Sequence, residues 1–415
     1  MPINILGMIG VAPPDDTATV HIIGGGIDRD YIVRFSQAHE RSGFDAVLIG
    51  HSSSSADGFL IAQHVAYHTQ HLKILLAHRP GFIAPTQAAR KVATLDNLID
   101  GRLWLHIITG GVDADQRRDG DFLSHDERYA RTDEYLQVMK GVWGQEEPFN
   151  YEGHYYRCSK ASSEVQSIQR PHVPLWFGGV SEAAIPVGAK HADTYALFGE
   201  PRSQVTELMA LLQHQAATND RKLSFNLSFR PILGDTEGAA WDKARSILAG
   251  VEASSPKSRG ISASGKEPEA ETARRLTRLI EGGEIQDECL WVPIAAAAQG
   301  SGNTTALVGT PDQVAEAIAK YYELGVSGVL IRGFEPFDDA VHFGDELIPL
   351  IREKVERVDQ AAGQLQRRVV VAKAHRDDQR DRQHAEQQAD HQAQRRRVGF
   401  GPAEVLGRGQ ESARG

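Results

Sequence analysis

Cysteine is almost missing from this chain: 415 residues hold two, Cys158 and Cys289, and neither belongs to a CxxC pair. That scarcity excludes a cysteine-built metal site and suits a reducing cytosol. Long apolar runs are missing too, and no window approaches a membrane span. Positive charge is not in excess: the formal net charge of -10 argues against a general nucleic-acid binder. The opening MPINILGMIG has no basic stretch or extended apolar core and runs straight into a strand-like segment, so a cytoplasmic protein without a membrane anchor is expected. Several catalytic signatures are also absent. There is no HExxH and no His pair at i, i+4 beside a carboxylate at a strand end, so no metal is expected. Neither a GxSxG elbow nor a GxxxxGK[ST] loop occurs.

What is present is a rhythm. With 41% hydrophobic residues the chain can bury a large core. Short β-rich apolar runs recur at 3–8, 46–49, 72–77, 103–109, 173–177, 194–197, 223–229 and 328–332. Helical patterns lie between and after them, at 28–42, 85–99, 124–143, 201–218, 239–249, 311–324 and 338–358. Eight strands alternating with helices call for parallel pairing through right-handed crossovers and close most naturally into a (β/α)8 TIM barrel, an α/β fold. A doubly wound open sheet is the alternative, but no dinucleotide fingerprint supports it: the first strand is followed by GMIGVAPPDD, and GGG at 24–26 does not lead into a helix at the right spacing.

Two segments break this rhythm. Residues 250–306 form a long insertion before the last strand, with a Ser/Gly/Lys-rich opening, a charged helix near 269–280 and an Ala/Gly-rich end. Insertions of that length act as lids or as spacers. After about residue 360 the chain becomes Arg-, Gln-, His- and Asp-rich with almost no core residues, so residues 1–359 are expected to form the barrel and 360–415 a disordered polar tail. A nucleic-acid-binding arm is not expected there, because the arginines are interleaved with aspartates and no aromatics alternate with them.

In a barrel, function sits at the C-terminal ends of the strands. Those ends carry His51 with Ser52 to Ser55 and Asp57, then His78-Arg79, Thr109-Gly110-Gly111, Gly178-Gly179-Val180-Ser181, Arg230 and Arg332. Arg79, Arg230 and Arg332 would share one rim, and three converging guanidiniums favour an anionic ligand unless carboxylates pair with them. In SHDERYARTDEY, Ser124 and Glu127 make a capping box, and His125 and Tyr129 fall on one face at the start of the helix. Unpaired N–H groups and the helix dipole favour an anion at that position. A plain capped amphipathic helix accounts for the same residues, but PLWFGGVSEAA adds a second device: Gly178-Gly179 permit close backbone approach, and Ser181 opens the next helix. Together they read as two walls of a phosphate pocket.

With RSGFDAVLIG, LKILLAHRPGFIAPTQAARKVATLDNLIDGRL, ITGG, HDERYARTDEY, QRPHVPLWFGGVSE, TALVGTP and GDELIPLI, residues 1–357 resemble the bacterial luciferase-like flavin-dependent monooxygenases, nearest the alkanesulfonate monooxygenase branch. The resemblance implies a dimeric or tetrameric TIM barrel that receives reduced FMN from a separate NAD(P)H-dependent flavin reductase. It implies oxygenation of a small organic substrate by dioxygen, for a sulfonate giving aldehyde and sulfite. It also implies a mobile lid at 250–306 and FMN contacts from Asp57, Thr109, His125, Tyr129 and Ser181, to which the strand-end turn adds Gly179 as a cofactor-binding residue. The same barrel serves deazaflavin-dependent hydride transfer and flavin-binding relatives without catalysis, and these remain the alternatives.

The substrate side departs from the sulfonate branch. Ser55 stands where that branch has Cys, Ser228 and Arg230 align with its Arg and His, Phe334 aligns with its Tyr, and Gln299 with its lid Arg. Arg230, Arg332 and Ser55 are therefore the expected catalytic and anion-binding residues.

Overall fold

The computed structural model describes residues 3–14, 20, 26–253, 268–302 and 304–364. The polar tail from 365 onward, Gly24 and Gly25, and the insertion's Ser/Gly/Lys-rich stretch at 254–267 lie outside the described residues. Contacts divide the chain into two units, Met1–Glu356 and Arg357–Gly415, and the architecture below is that of the first.

Strands β1 (Asn4–Met8), β2 (Ala46–Ile49), β3 (Lys73–His78) and β4 (Leu103–Ile107) are followed by an antiparallel hairpin, β5 (Phe149–Glu152) and β6 (Arg157–Ala161). Then come β7 (Leu175–Gly178), β8 (Thr194–Phe198), the ten-residue β9 (Ser224–Leu233), the short β10 (Ile285–Gln286) and β11 (Leu290–Trp291), β12 (Ala306–Gly309) and β13 (Gly328–Ile331). Parallel pairing runs β1-β2-β3-β4-β7-β8-β9-β13 and returns to β1, so eight strands close a barrel surrounded by helices. All eight are the runs legible in the sequence, and the closed ring rules out the open sheet.

One strand is longer than its sequence pattern predicts. β9 pairs with β8 and β13 up to Phe229, then continues through Arg230 to Leu233 as a parallel partner of β12. Residues 306–309, which read as the end of an insertion, are thus a ninth parallel strand splayed off the barrel. β11 pairs antiparallel with β12, and β10 with β11, so this part of the insertion is sheet.

Alternation along each strand separates two cores. Leu6, Ala46, Leu75, Trp104, Trp176 and Leu330 fill the barrel interior, with the two indoles stacked at 5.1 Å. Ile5, Ile74, Leu76, Leu105 and Phe177 face outward into the helix layer. Caps written in the sequence fix where helices start: the Asp28 side chain accepts from Tyr31 N, and Thr310 with Gln313 forms a capping box.

Two buried histidines make this packing sensitive to acid. Burial lowers the pKa of His39 to about 4, against a hydrogen bond to Phe35 O at 2.9 Å that works the other way. Burial first, then the charges of His51 and Lys91, lowers that of His78 to about 3. Unfolded, both titrate near the ordinary value of about 6.5. Their stabilisation is therefore complete above pH 6.5 and is lost as pH falls towards 4, because only the unfolded chain takes up those protons. Each contributes a slope of about 1.4 kcal/mol per pH unit in that window. Thermal melts from pH 7 to pH 4.5 should show the melting temperature falling, and His39→Leu should flatten the fall. A wild-type profile that the substitution leaves parallel would sink this account.

Candidate active site

Four of the expected cofactor residues meet at the C-terminal mouth. The helix His125–Gly144 starts at the predicted capping box: Ser124 Oγ accepts from Glu127 N at 3.4 Å, and Glu127 Oε2 accepts from Ser124 N at 2.8 Å. This start places the His125 ring edge-on to Tyr129, centroids 4.9 Å apart, with His125 Nε2 3.4 Å from Ser181 Oγ. Ser181 also accepts from Ala184 N at 3.3 Å, so its hydroxyl marks the start of the helix Ala184–His191. Tyr129 is buried, and burial pushes its phenol up to about 12, with a hydrogen bond from Ser181 opposing, so it is a neutral donor at working pH.

Gly179 holds this corner open. Its φ of +126° is a backbone conformation that L side chains rarely adopt, and a Cβ there would lie 2.6 Å from Tyr129 Oη. Tyr195 Oη donates to Gly179 O at 2.5 Å and fixes the loop from below. An imidazole, a phenol and a serine hydroxyl beside two helix starts suit a phosphate, and Asp126, the nearest carboxylate in sequence, is engaged with His125 Nδ1 at 2.7 Å.

The other two cofactor candidates sit differently. Thr109 is buried, 3.3 Å from Thr132 Oγ1, on the loop after β4. Asp57 is exposed and caps the helix Gly58–Tyr67 by accepting from Leu60 N at 3.0 Å.

The arginine rim is not what the sequence suggests. Arg79 Nη2 lies 2.7 Å from Asp115 Oδ2, and Nη1 lies 3.7 Å from Asp119. Asp115 also accepts from Ser53 N and Oγ; burial would raise its pKa, but Ser53 and Arg79 outweigh it and hold the carboxylate ionised. Arg79 is thereby neutralised.

Arg230 is fully buried. It donates to Gly333 O at 3.1 Å, to Gly302 O at 3.2 Å and to Val20 O, and stacks on Phe334 at 4.5 Å. It ties the loop after β1, the end of the insertion and the loop after β13 together, a scaffolding place rather than an open anion site. Ser55 is likewise engaged, accepting from Ser52 N at 2.9 Å and donating to Ser52 O at 3.0 Å within one turn.

Arg332 pairs with no carboxylate among the described residues and, unlike Arg230, donates to no backbone carbonyl. Its side chain follows Leu330 on the inward face of β13, donates to Met8 Sδ at 2.8 Å, and leaves Nε buried without a partner. Burial lowers its pKa to about 10. His106, on the inward face of β4 after Trp104, escaped notice in the sequence. Burial holds it neutral, its pKa lowered to about 4, and Nδ1 has no partner. The alternation of Trp104 and His106 within 103–107 puts both on one face, and the barrel register makes that face the inward one.

The described part of the insertion returns to this mouth. Glu269 Oε2 accepts from Asp113 N at 2.8 Å, and a Cβ on Gly111 would meet the Ala270 side chain at 2.9 Å. Arg275, in the helix Glu271–Arg278, donates through Nε at 2.9 Å to the buried Glu200 at the end of β8, with a second contact through Nη2. Glu200→Ala is expected to release this helix while sparing the barrel. Hydrogen exchange at 271–278 should rise at least tenfold with the melting temperature nearly unchanged, and unaltered exchange would show that the pair anchors nothing.

Among the described residues no group of His, Cys, Asp and Glu is placed to hold a metal, and no helix is long and apolar enough to cross a membrane.

Known proteins share this architecture at low identity. A riboflavin lyase, whose structure holds a modified FMN and riboflavin, matches with a TM-score of 0.70 and 18% identity over 85% of this chain and 92% of its own. The EDTA monooxygenase of Chelativorans sp. BNC1 gives 0.66 and 17% over 85% and 94%. An F420-dependent secondary alcohol dehydrogenase gives 0.60 and 14% over 85% and 99%. These likenesses show the fold. The sequence profile described as luciferase-like monooxygenase matches residues 3–328, most of the chain, and the protein belongs to that family.

Proposed function

We propose that the protein is a two-component FMN-dependent monooxygenase, supplied with reduced FMN by a separate NAD(P)H-dependent flavin reductase and working as a homodimer or homotetramer in the cytoplasm. The observation that carries this reading is the convergence of His125, Tyr129, Gly179 and Ser181 on one corner of the mouth, in a chain of this family. Those residues would hold the FMN phosphate, with Thr109 and Asp57 on the neighbouring loops. Bound reduced FMN would supply the electrons that activate dioxygen, one oxygen atom passing to the substrate and the other leaving as water.

The chain's own residues then have three tasks. His125 and Ser181 orient the anion, and the neutral Tyr129 phenol donates to it without adding charge. The stacked Trp104 and Trp176 close the barrel floor, so the reacting centre opens only towards the mouth. The insertion, held through Glu269 and Arg275, covers the loop after β4 and excludes water from the reaction.

An organosulfur acid, cleaved to aldehyde and sulfite, is the substrate class that the sequence likeness favours. It cannot be held as in the alkanesulfonate branch, because Arg230 is committed to backbone carbonyls and Ser228 replaces the other basic residue.

The test is an anaerobic titration with reduced FMN and, in parallel, reduced deazaflavin, followed by mixing with air. Tighter binding of reduced FMN, and reoxidation through a spectrum distinct from both the reduced and the oxidised flavin, is the expected result and justifies screening sulfonates for sulfite release. Preference for the deazaflavin would replace oxygen insertion with hydride transfer, the reading favoured by the F420-dependent neighbour. Tight flavin binding with oxygen reactivity no greater than that of free flavin would mark a non-catalytic relative.

A further inference from the structure

The barrel mouth has an anion-binding corner on one side and an uncompensated cation on the other. Around the ring, β13 lies four strands from β4 in one direction and three from β7 in the other, so Arg332 stands across the mouth from the Tyr129–Gly179 corner. Between them the wall is mostly apolar: Ala77, Gly178 and Ala196 follow the inward alternation set by Leu75 and Trp176, beside the larger Leu48 on β2, above a floor of Trp104, Trp176 and Leu330. Small residues at the top of three strands leave room where large ones would fill a barrel.

Arg332 has no structural use that accounts for its charge. Among the described residues it pairs with no carboxylate; its one side-chain partner is the thioether of Met8, and its Nε is orphaned. The guanidinium of Arg230 adds positive potential beside it. An enclosed guanidinium without a counter-charge is costly, and a ligand that brings the counter-charge recovers that cost. Arg79, which the sequence groups with it, shows the contrast in charge: its Nε is orphaned too, but Asp115 at 2.7 Å and Asp119 at 3.7 Å supply the counter-charge.

We propose that Arg332 is the receptor for an acid group on the substrate, a carboxylate or sulfonate on an apolar body lodged in the barrel mouth. The assignment rests on the reading of that mouth as the site of flavin chemistry, and it gives the substrate a direction: acid end at β13, apolar body over the Trp floor. His106, neutral and directed inward on β4, offers the body a polar contact on the far wall.

The experiment uses the full chain with FMN present and isothermal titration of three probes of equal length: 1-octanesulfonate, octanoate and 1-octanol. At least one acid should bind ten times more tightly than the alcohol, and the better acid identifies the head group. Arg332→Met, which keeps the bulk beside Met8, should bring the acids within threefold of the alcohol while FMN affinity and melting temperature hold. Arg332→Lys should retain part of the preference, and it serves as the test if the Met variant does not fold. Equal binding of acids and alcohol by the wild type overturns the proposal, as does an acid preference that survives Arg332→Met. Loss of FMN affinity in Arg332→Met also overturns it, since the arginine would then serve the flavin. A wild-type chain that ignores FMN but shows an Arg332-dependent acid preference would refute the flavin reading and leave the acid receptor standing.

Discussion

Gly179→Ala is expected to weaken flavin binding by about 100-fold, the equivalent of roughly 2.7 kcal/mol, without unfolding the protein. Two costs combine. The alanine must hold φ near +126°, a strain of about 1–3 kcal/mol, and its Cβ would arrive 2.6 Å from Tyr129 Oη and 3.1 Å from the Ala184 side chain. Tyr129 is buried against His125 and Phe177, so the phenol has little room to retreat and the corner itself must distort. Flavin titration and thermal melts on the same protein separate binding from stability. The double variant Gly179→Ala with Tyr129→Phe removes the oxygen that the new Cβ meets, so its stability loss should be smaller than the sum of the two single losses. Wild-type flavin affinity in Gly179→Ala would remove this corner from the binding site.

Arg230→Met should cost about 3 kcal/mol or more and lower the melting temperature by several degrees. The loss has a specific source: carbonyls of Gly333, Gly302 and Val20 lose a donor, and the stack on Phe334 disappears. A methionine preserves volume, so the effect measures the guanidinium rather than a cavity. Three loops that end at the mouth would loosen together, which hydrogen exchange can localise. Unchanged stability with lost acid binding would return Arg230 to the ligand site where the sequence first places it.

The opposite fates of the three arginines show where a sequence stops being informative. Arg79, Arg230 and Arg332 all follow strand runs and look equivalent in one dimension. Their roles diverge because of residues far away in the chain: Asp115 is 36 positions from Arg79, and Gly333 is 103 from Arg230. Strand alternation was legible, but the length of β9 was not. Its last four residues are strand only because β12 lies alongside them, and β12 is strand only because β9 is there. His106 was hidden for a related reason, since inward and outward positions become distinguishable once the register of β4 is fixed.

Local signals behaved differently. The capping box at Ser124 and Glu127, the helix faces and the glycine at a strand end are decided within a few residues, because short-range hydrogen bonds and backbone sterics decide them. Those signals placed His125, Tyr129, Gly179 and Ser181 at element ends, and barrel closure brought those ends together. The sequence by itself determined the eight-strand alternation, the helix starts and the residue types suited to an anion. Tertiary structure alone decided which charges are compensated, because a counter-ion or a carbonyl is found through space, and burial makes that choice energetically large.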